Sequence, residues 1–161
     1  MAYHQIHIQS ARRYGLMRLE KIAAGTITPG MLLEMTTADK VQAHSTAGGN
    51  VGAKMVALET LHPATGTTPA IDQDYSADDT VYIGLPVAGD VMYLYLASGQ
   101  NVAIGAVLQS DGNGYVTAHT PQAVDESGSA TYNIYTNQIV GIAVEAVDAS
   151  GGAARIAVRI T

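Results

Sequence analysis

The sequence predicts an all-β protein: a compact barrel or sandwich of short antiparallel strands, with an internal duplication and an N-terminal arm. Three observations predict it. Ile27-Thr28-Pro29-Gly30-Met31-Leu32-Leu33 returns as Val102-Ala103-Ile104-Gly105-Ala106-Val107-Leu108, and Val41-Gln42-Ala43-His44-Ser45 returns as Val116-Thr117-Ala118-His119-Thr120, both at an offset of 75 residues. Apolar residues come in short runs punctuated by Gly, Pro and Asn, with no sustained helical period. Of 161 residues, 47% are apolar and 17 are glycine, with no Phe, Trp or Cys. That is enough for one domain with a real core and many tight turns.

Residues 1–21 stand apart. Ile6 and Ile8 alternate with His7 and Gln9, the period of a short extended strand. Arg12, Arg13, Arg18 and Lys21 are four of the eight basic residues, against the single acid Glu20. Leu16 and Met17 add apolar anchors. The segment reads as an arm, because neither copy of the repeat includes it, or as an edge strand of the same domain. The body at 22–161 then divides into copies at about 22–97 and 98–161.

In the first copy Pro29-Gly30 is a turn, 31–35 a strand, Ala38-Asp39 a turn and 40–45 the returning strand. The second copy states the hairpin more clearly. Residues 106–110 lead into Asp111-Gly112-Asn113-Gly114, whose Asp-Gly and Asn-Gly pairs supply the positive φ that tight hairpins need, and 115–120 return. A third strand at 54–61 has its counterpart at 138–147, now offset by 86. Strands at 90–97 and 154–160, each following a glycine, close the two copies. The excursion at 63–87 includes a strand at 81–85 and a possible helical turn at 76–79; the excursion at 121–130 precedes a strand at 131–135. The two units invite a pseudo-two-fold arrangement around a shared core.

The net charge is −6, and between Lys54 and Arg155 there are eleven acids and no lysine or arginine. Such a body repels a phosphate backbone, which argues against a nucleic-acid partner. No stretch approaches the length of a membrane span. Tyr82, Tyr93, Tyr95, Tyr132 and Tyr135 lie on predicted strands and are interface candidates, since tyrosine joins an apolar ring to a polar tip. As core-edge residues they would instead stand in for the missing Phe.

The chemical motifs fail on inspection. His44 and His119 are equivalent through the repeat, and His4 and His7 fall on opposite strand faces, so no metal set converges. The run 72–79 places oxygens like the start of a calcium loop, but Ala77 stands where glycine is required and Ile83 where glutamate is. Neither a G-x-S-x-G elbow nor a phosphate loop is present. The acid pairs Asp78/Asp79 and Asp125/Glu126 have no pocket that would raise one pKa. The expectation is a protein without catalytic residues, metal or cofactor.

The Pro29-Gly30 and Ile104-Gly105 turns, the short apolar strands, the Val-x-Ala-His hairpin ends and the run Gly141-Ile142-Ala143-Val144-Glu145-Ala146 resemble the decoration, or cement, proteins of tailed-bacteriophage heads. The resemblance covers about 22–161 and implies a β-tulip-like fold. It further implies binding to the major capsid protein on the outer surface of a mature head, commonly as a homotrimer, with neighbouring capsid subunits bridged. A dimer stays open. An N-terminal segment in such proteins contacts capsid or protomer, which here would use Ile6, Ile8, Arg12, Arg13, Leu16, Met17 and Arg18. Deletion of 1–21 is then expected to weaken capsid binding more than folding. The alternative functions are a fibre-type receptor- or glycan-binding module, carried by tyrosines and acids of the 63–87 loop, and a polysaccharide hydrolase with two carboxylates in one cleft.

Overall fold

The computed structural model describes residues 3–11, 13, 15–49, 51, 54–61, 68–121 and 137–161. The predicted strand at 131–135, the excursion at 122–130 and the site candidates Arg12, Tyr132 and Tyr135 lie outside the described residues.

The fold is all-β. In chain order the strands are β1 (His7–Gln9), β2 (Met17–Ile22), β3 (Leu32–Met35), β4 (Val41–Ala43), β5 (Met55–Ala57), β6 (Thr80–Leu85), β7 (Val91–Leu96), β8 (Asn101–Val102), β9 (Val107–Ser110), β10 (Val116–Ala118), β11 (Ile139–Ala143), β12 (Val147–Asp148) and β13 (Ala154–Ile160). A single 3₁₀ turn, Ala70–Asp72, is the helical element among the described residues; the predicted turn at 76–79 is a tight turn instead, with the Asp79 N–H donating to Ser76 O at 3.1 Å.

Strands β7, β10, β9, β11 and β13 pair in that order, and β13 returns to β7, so they close a five-stranded barrel. Strands β2, β6, β5, β3 and β4 run in the same circular order, and a parallel bridge between Ala23 and Val41 joins the two ends. The repeat is therefore reproduced pair by pair. Leu33↔Met55 corresponds to Leu108↔Gly141, and Leu32↔Val56 to Val107↔Ile142. The bridge Ala23↔Val41 corresponds to Leu96↔Val116. Ile27↔Tyr75 corresponds to Val102↔Val147. Even the turn bonds recur: the N–H of Gly30 reaches Ala57 O at 2.8 Å and that of Gly105 reaches Ala143 O at 2.9 Å.

This register corrects two expectations. The counterpart of β13 is β6, as Val56↔Gly84 matches Ile142↔Arg159, and the counterpart of β7 is β2, as Arg18↔Gly84 matches Val91↔Arg159. The copies are thus 17–85 and 91–160, rather than 22–97 and 98–161. Residues 17–21 belong to an edge strand of the first barrel, the second of the two readings of the segment, and not to an arm. Composition hid this, because Met-Arg-Leu-Glu-Lys-Ile and Val-Met-Tyr-Leu-Tyr-Leu share position but not polarity.

The second correction concerns symmetry. Each barrel has its own interior. Ile27, Leu33, Val41, Met55, Tyr75, Val81 and Ile83 fill the first. Their equivalents, including Val102, Leu108, Val116, Ile156 and Val158, belong to a larger cluster that fills the second barrel and continues into the junction through Leu32, Val56, Leu58 and Ile6. Under a pseudo-two-fold, equivalent residues would be equally covered. Leu32 and Val56 are buried, whereas Val107 and Ile142 are exposed. The barrels are joined head to tail, unlike sides in contact.

Candidate interaction surfaces

The N-terminal segment is a strap along the second barrel. β7 is bonded to β13 on one edge, and β1 occupies part of the other, with His7 opposite Met92 and the Tyr93 N–H donating to Ile6 O at 2.7 Å. Ile6 is completely buried, and its own N–H donates to Glu59 Oε2 at 3.1 Å on the first barrel. Further along, the Ala11 N–H donates to Asp90 Oδ1 at 2.6 Å, and Ser10 Oγ approaches the same oxygen at 3.4 Å. Asp90 is buried, and its second oxygen accepts the Val87 N–H at 2.9 Å, so one carboxylate ties the strap to the β6–β7 turn.

The site candidates therefore separate. Ile6 is a core residue of its own chain, completely buried. Leu16 packs on the same core, close to the bare Cα of Gly84. Ile8 is half-buried, while Arg13, Met17 and Arg18 are exposed. Met17 and Arg18 stand on β2, whose ladder partner among the described residues is β6 alone, apart from the Ala23 bridge. Charges at Arg18, Glu20 and Lys21 suit that open edge, since charged side chains discourage indiscriminate strand pairing.

The three described tyrosine candidates are packed. Tyr82 lies between the two cores. Tyr93 meets Tyr3 edge-to-face at 5.1 Å between centroids, and Tyr95 meets Tyr115 at 5.7 Å. Arg155 lies over the Tyr95 ring at 4.4 Å, pairs with Asp72 at 2.5 Å, and donates to Pro29 O and Ile71 O. Burial pushes both Tyr93 and Tyr95 up from the usual phenol value. Together Tyr3, Tyr93, Tyr95, Asp72 and Arg155 line a cleft of about 370 Å³.

The barrel junction is hydrogen-bonded through both backbone and side chains. The Leu32 N–H donates to Gly114 O at 2.7 Å, the Gly114 N–H to His44 O at 3.1 Å, and the Tyr95 N–H to Gly30 O at 3.2 Å. His44 Nδ1 and Ser110 Oγ, both buried, are 2.8 Å apart. His119, the equivalent of His44, bonds instead to Gln109 Oε1 at 2.7 Å within its own barrel. Position is conserved by the repeat, but the environment is set by the junction.

Three of the four acids in the run 72–79 make ordinary contacts. Asp72 pairs with Arg155, Asp78 with Lys40 at 2.6 Å, and Asp79 accepts the Ser76 N–H at 2.7 Å. Among the described residues no three His, Asp or Glu side chains gather as a metal set, and no helix is long and apolar enough to cross a membrane. Sequence reasoning missed the exposed apolar residues Ile22, Met35, Ile104, Val107 and Ile142. The signal was available only through the repeat, by asking which copy covers each position.

No protein-family model matches the chain, and no curated protein matches it. Among solved structures, it is similar to the N base of the head fiber gp8.5 of bacteriophage phi29, with a TM-score of 0.53 over 91% of this chain and 95% of that one, at 11% identity. At that identity the likeness is one of fold.

Proposed function

We propose that the protein is a structural component of a phage head: a decoration or cement protein that binds the major capsid protein on the outer surface of the mature shell and bridges neighbouring subunits, without catalysis or cofactor. The carrying observation is the fold, two tandem barrels matched over nearly their whole length to the base of a head fiber. The acidic body supports it, since a basic one would compete for nucleic acid. Self-association, as a homotrimer in this reading, lets several modest contacts act at high effective concentration.

The test is co-sedimentation of purified protein with mature heads that lack it. Saturable binding at a fixed ratio to capsid subunits is expected, and absence of binding refutes the reading. Deleting residues 1–21 is no test of the basic leader, because it removes most of β2 and the buried Ile6. Charge reversal is: Arg13→Glu with Arg18→Glu should weaken capsid binding at least several-fold and leave the melting temperature within about 2 °C, since surface changes move stability by only a few tenths of a kcal/mol. Unchanged capsid affinity would show that the leader is not the contact.

One observation favours the fibre-type receptor reading: the cleft where Tyr3, Tyr93 and Tyr95 accompany Asp72 and Arg155, rings beside paired charges as a sugar site requires. A glycan array decides it. Binding lost in Tyr3→Ala supports the reading, and an array with no bound glycan removes it.

A further inference from the structure

The two barrels are joined by unlike sides, so each has one used side and one unused side. The junction covers the outer side of β3 and β5 in the first barrel with the β9–β10 hairpin and the outer side of β7 in the second. Carried through the repeat, the unused counterparts are the outer side of β9 and β11, and the β3–β4 hairpin with the outer side of β2.

Those counterparts are where the apolar surface lies. Val107 and Ile142 are 38% and 36% exposed where their equivalents Leu32 and Val56 are 2% and 0%. Ile104 is exposed where Pro29 accepts a hydrogen bond from Arg155 of the other barrel. On the second unused side, Met35 is exposed where Ser110 is buried against His44, and Ile22 where Tyr95 receives Arg155. A Cβ on Gly30 would meet Tyr93 O at 3.0 Å, whereas one on Gly105 meets nothing within 4 Å. Of the seven exposed large apolar residues among those described, these five occupy junction-equivalent positions, and they divide between the two complementary sides. Apolar residues grouped in this way mark an interaction site.

We propose that the outer side of β9 and β11 is the docking surface for a second copy of this chain. That copy seats its β3–β4 hairpin and the outer side of its β2 there, repeating between molecules the junction that joins the barrels within one. The backbone groups are placed for the same bonds. Val107 N–H would donate to the second copy's Asp39 carbonyl, as Leu32 does to Gly114, and the second copy's Ile22 N–H to Gly105 O, as Tyr95 does to Gly30. Asp39 shares the positive φ of Gly114, 57° against 80°. The contact is heterologous, so it builds a ring where its rotation closes and an open filament where it does not. The inference rests on the repeat alone and holds whatever larger partner the assembly binds.

The test uses the full chain, with mass measured by sedimentation velocity and light scattering. Wild type is expected as an oligomer. Val107→Glu/Ile142→Glu and Ile22→Glu/Met35→Glu should each be monomeric with a cooperative melt. Mixed in equal amounts, they should form a dimer through the one intact pair of sides. A monomeric wild type, an oligomer that survives either double change, or a mixture that stays monomeric would overturn the proposal. Should the glutamates unfold the protein, cysteines decide it, since the chain has none of its own. A Cβ at Gly114 lies 3.3 Å from Met31 Cβ, close to disulfide spacing. The equivalent pair Asp39→Cys/Ala106→Cys in one chain should give disulfide-linked multimers on oxidation; exclusively uncrosslinked chain would overturn the proposal. Because capsid is absent from these measurements, their failure leaves the head-binding test untouched.

Discussion

Tyr75 shows how one side chain ties an excursion to a barrel. Its ring lies in the first core, and its hydroxyl donates to Leu58 O at 2.9 Å. Burial, with the nearby Glu59 and Tyr82 adding to it, pushes the phenol up to about 12. A folded pKa above the unfolded value of 10 means that the contribution is full below pH 10 and is lost as pH rises from there through about 12. Tyr75→Phe should therefore lower stability at neutral pH by about 1 kcal/mol, the value of a buried hydrogen bond. It should also remove part of the alkaline decline. Urea melts of both proteins between pH 8 and 12 check it, and parallel pH profiles would refute the assignment. None of this was legible in advance. In the sequence Tyr75 belongs to the run 72–79 and to the loop tyrosines of the receptor-binding alternative, because nothing in its flanks announces that residue 75 bridges to Ile27.

At the scale of elements, strand positions are legible and some strand ends are not: the predicted 154–160 coincides with β13, and 81–85 and 90–97 fall within one residue of β6 and β7, whereas the returning strands 40–45 and 115–120 run two residues past β4 and β10. The predicted strands 31–35 and 106–110 each begin one residue before β3 and β9 and end with them, because turn chemistry fixes hairpin register. The third strands were overextended: the predicted 54–61 is three residues of β5, and 138–147 is β11 with β12 after a break. Apolar runs do not reveal where a ladder stops. Ile6, proposed as a contact, proved to be core for a similar reason, since alternation identifies a buried side chain but not what buries it. The second barrel also packs differently inside. Gly141 stands where the first barrel has Met55, beside a register shift in β11. A Cβ there would collide with Arg159 O and sit 2.7 Å from Val158 Cγ1. Gly141→Ala should cost about 1–3 kcal/mol by overpacking. Since Gly141 is a strand position without positive φ, the loss would come from packing rather than backbone strain. Thermal melts check it; a neutral change would mean that β13 yields.

The whole molecule behaves as two barrels with one shared seam. Leu32, Val56 and Leu58 of the first barrel sit in the same cluster as Leu94, Leu96 and Ile156 of the second. The seam should therefore make unfolding a single transition, with calorimetric and van 't Hoff enthalpies equal. Leu32→Ala, which opens a cavity in the seam, should cost about 2–5 kcal/mol and move protection in both barrels together. Hydrogen exchange reads this residue by residue; loss confined to 17–85 would show that the barrels unfold independently. At this scale the sequence was most informative and also most misleading. The 75-residue offset revealed two copies, but it was silent on whether they face each other or follow one another, because identical strands serve either arrangement. Only unequal burial of equivalent positions distinguishes them.

The strap has a consequence for the order in which the chain is built. The first barrel is made entirely from residues 17–85, whereas β1, although translated earliest, finds its strand partner only at Val91 and Met92. Contacts that span long stretches of chain form late, because loop closure comes before any reward. The opening residues should thus be the last to settle. In refolding followed by pulsed deuterium labelling, amides of β2–β6 should become protected before that of Tyr93, whose acceptor is Ile6 O; simultaneous protection would show that the chain's beginning is held from the start.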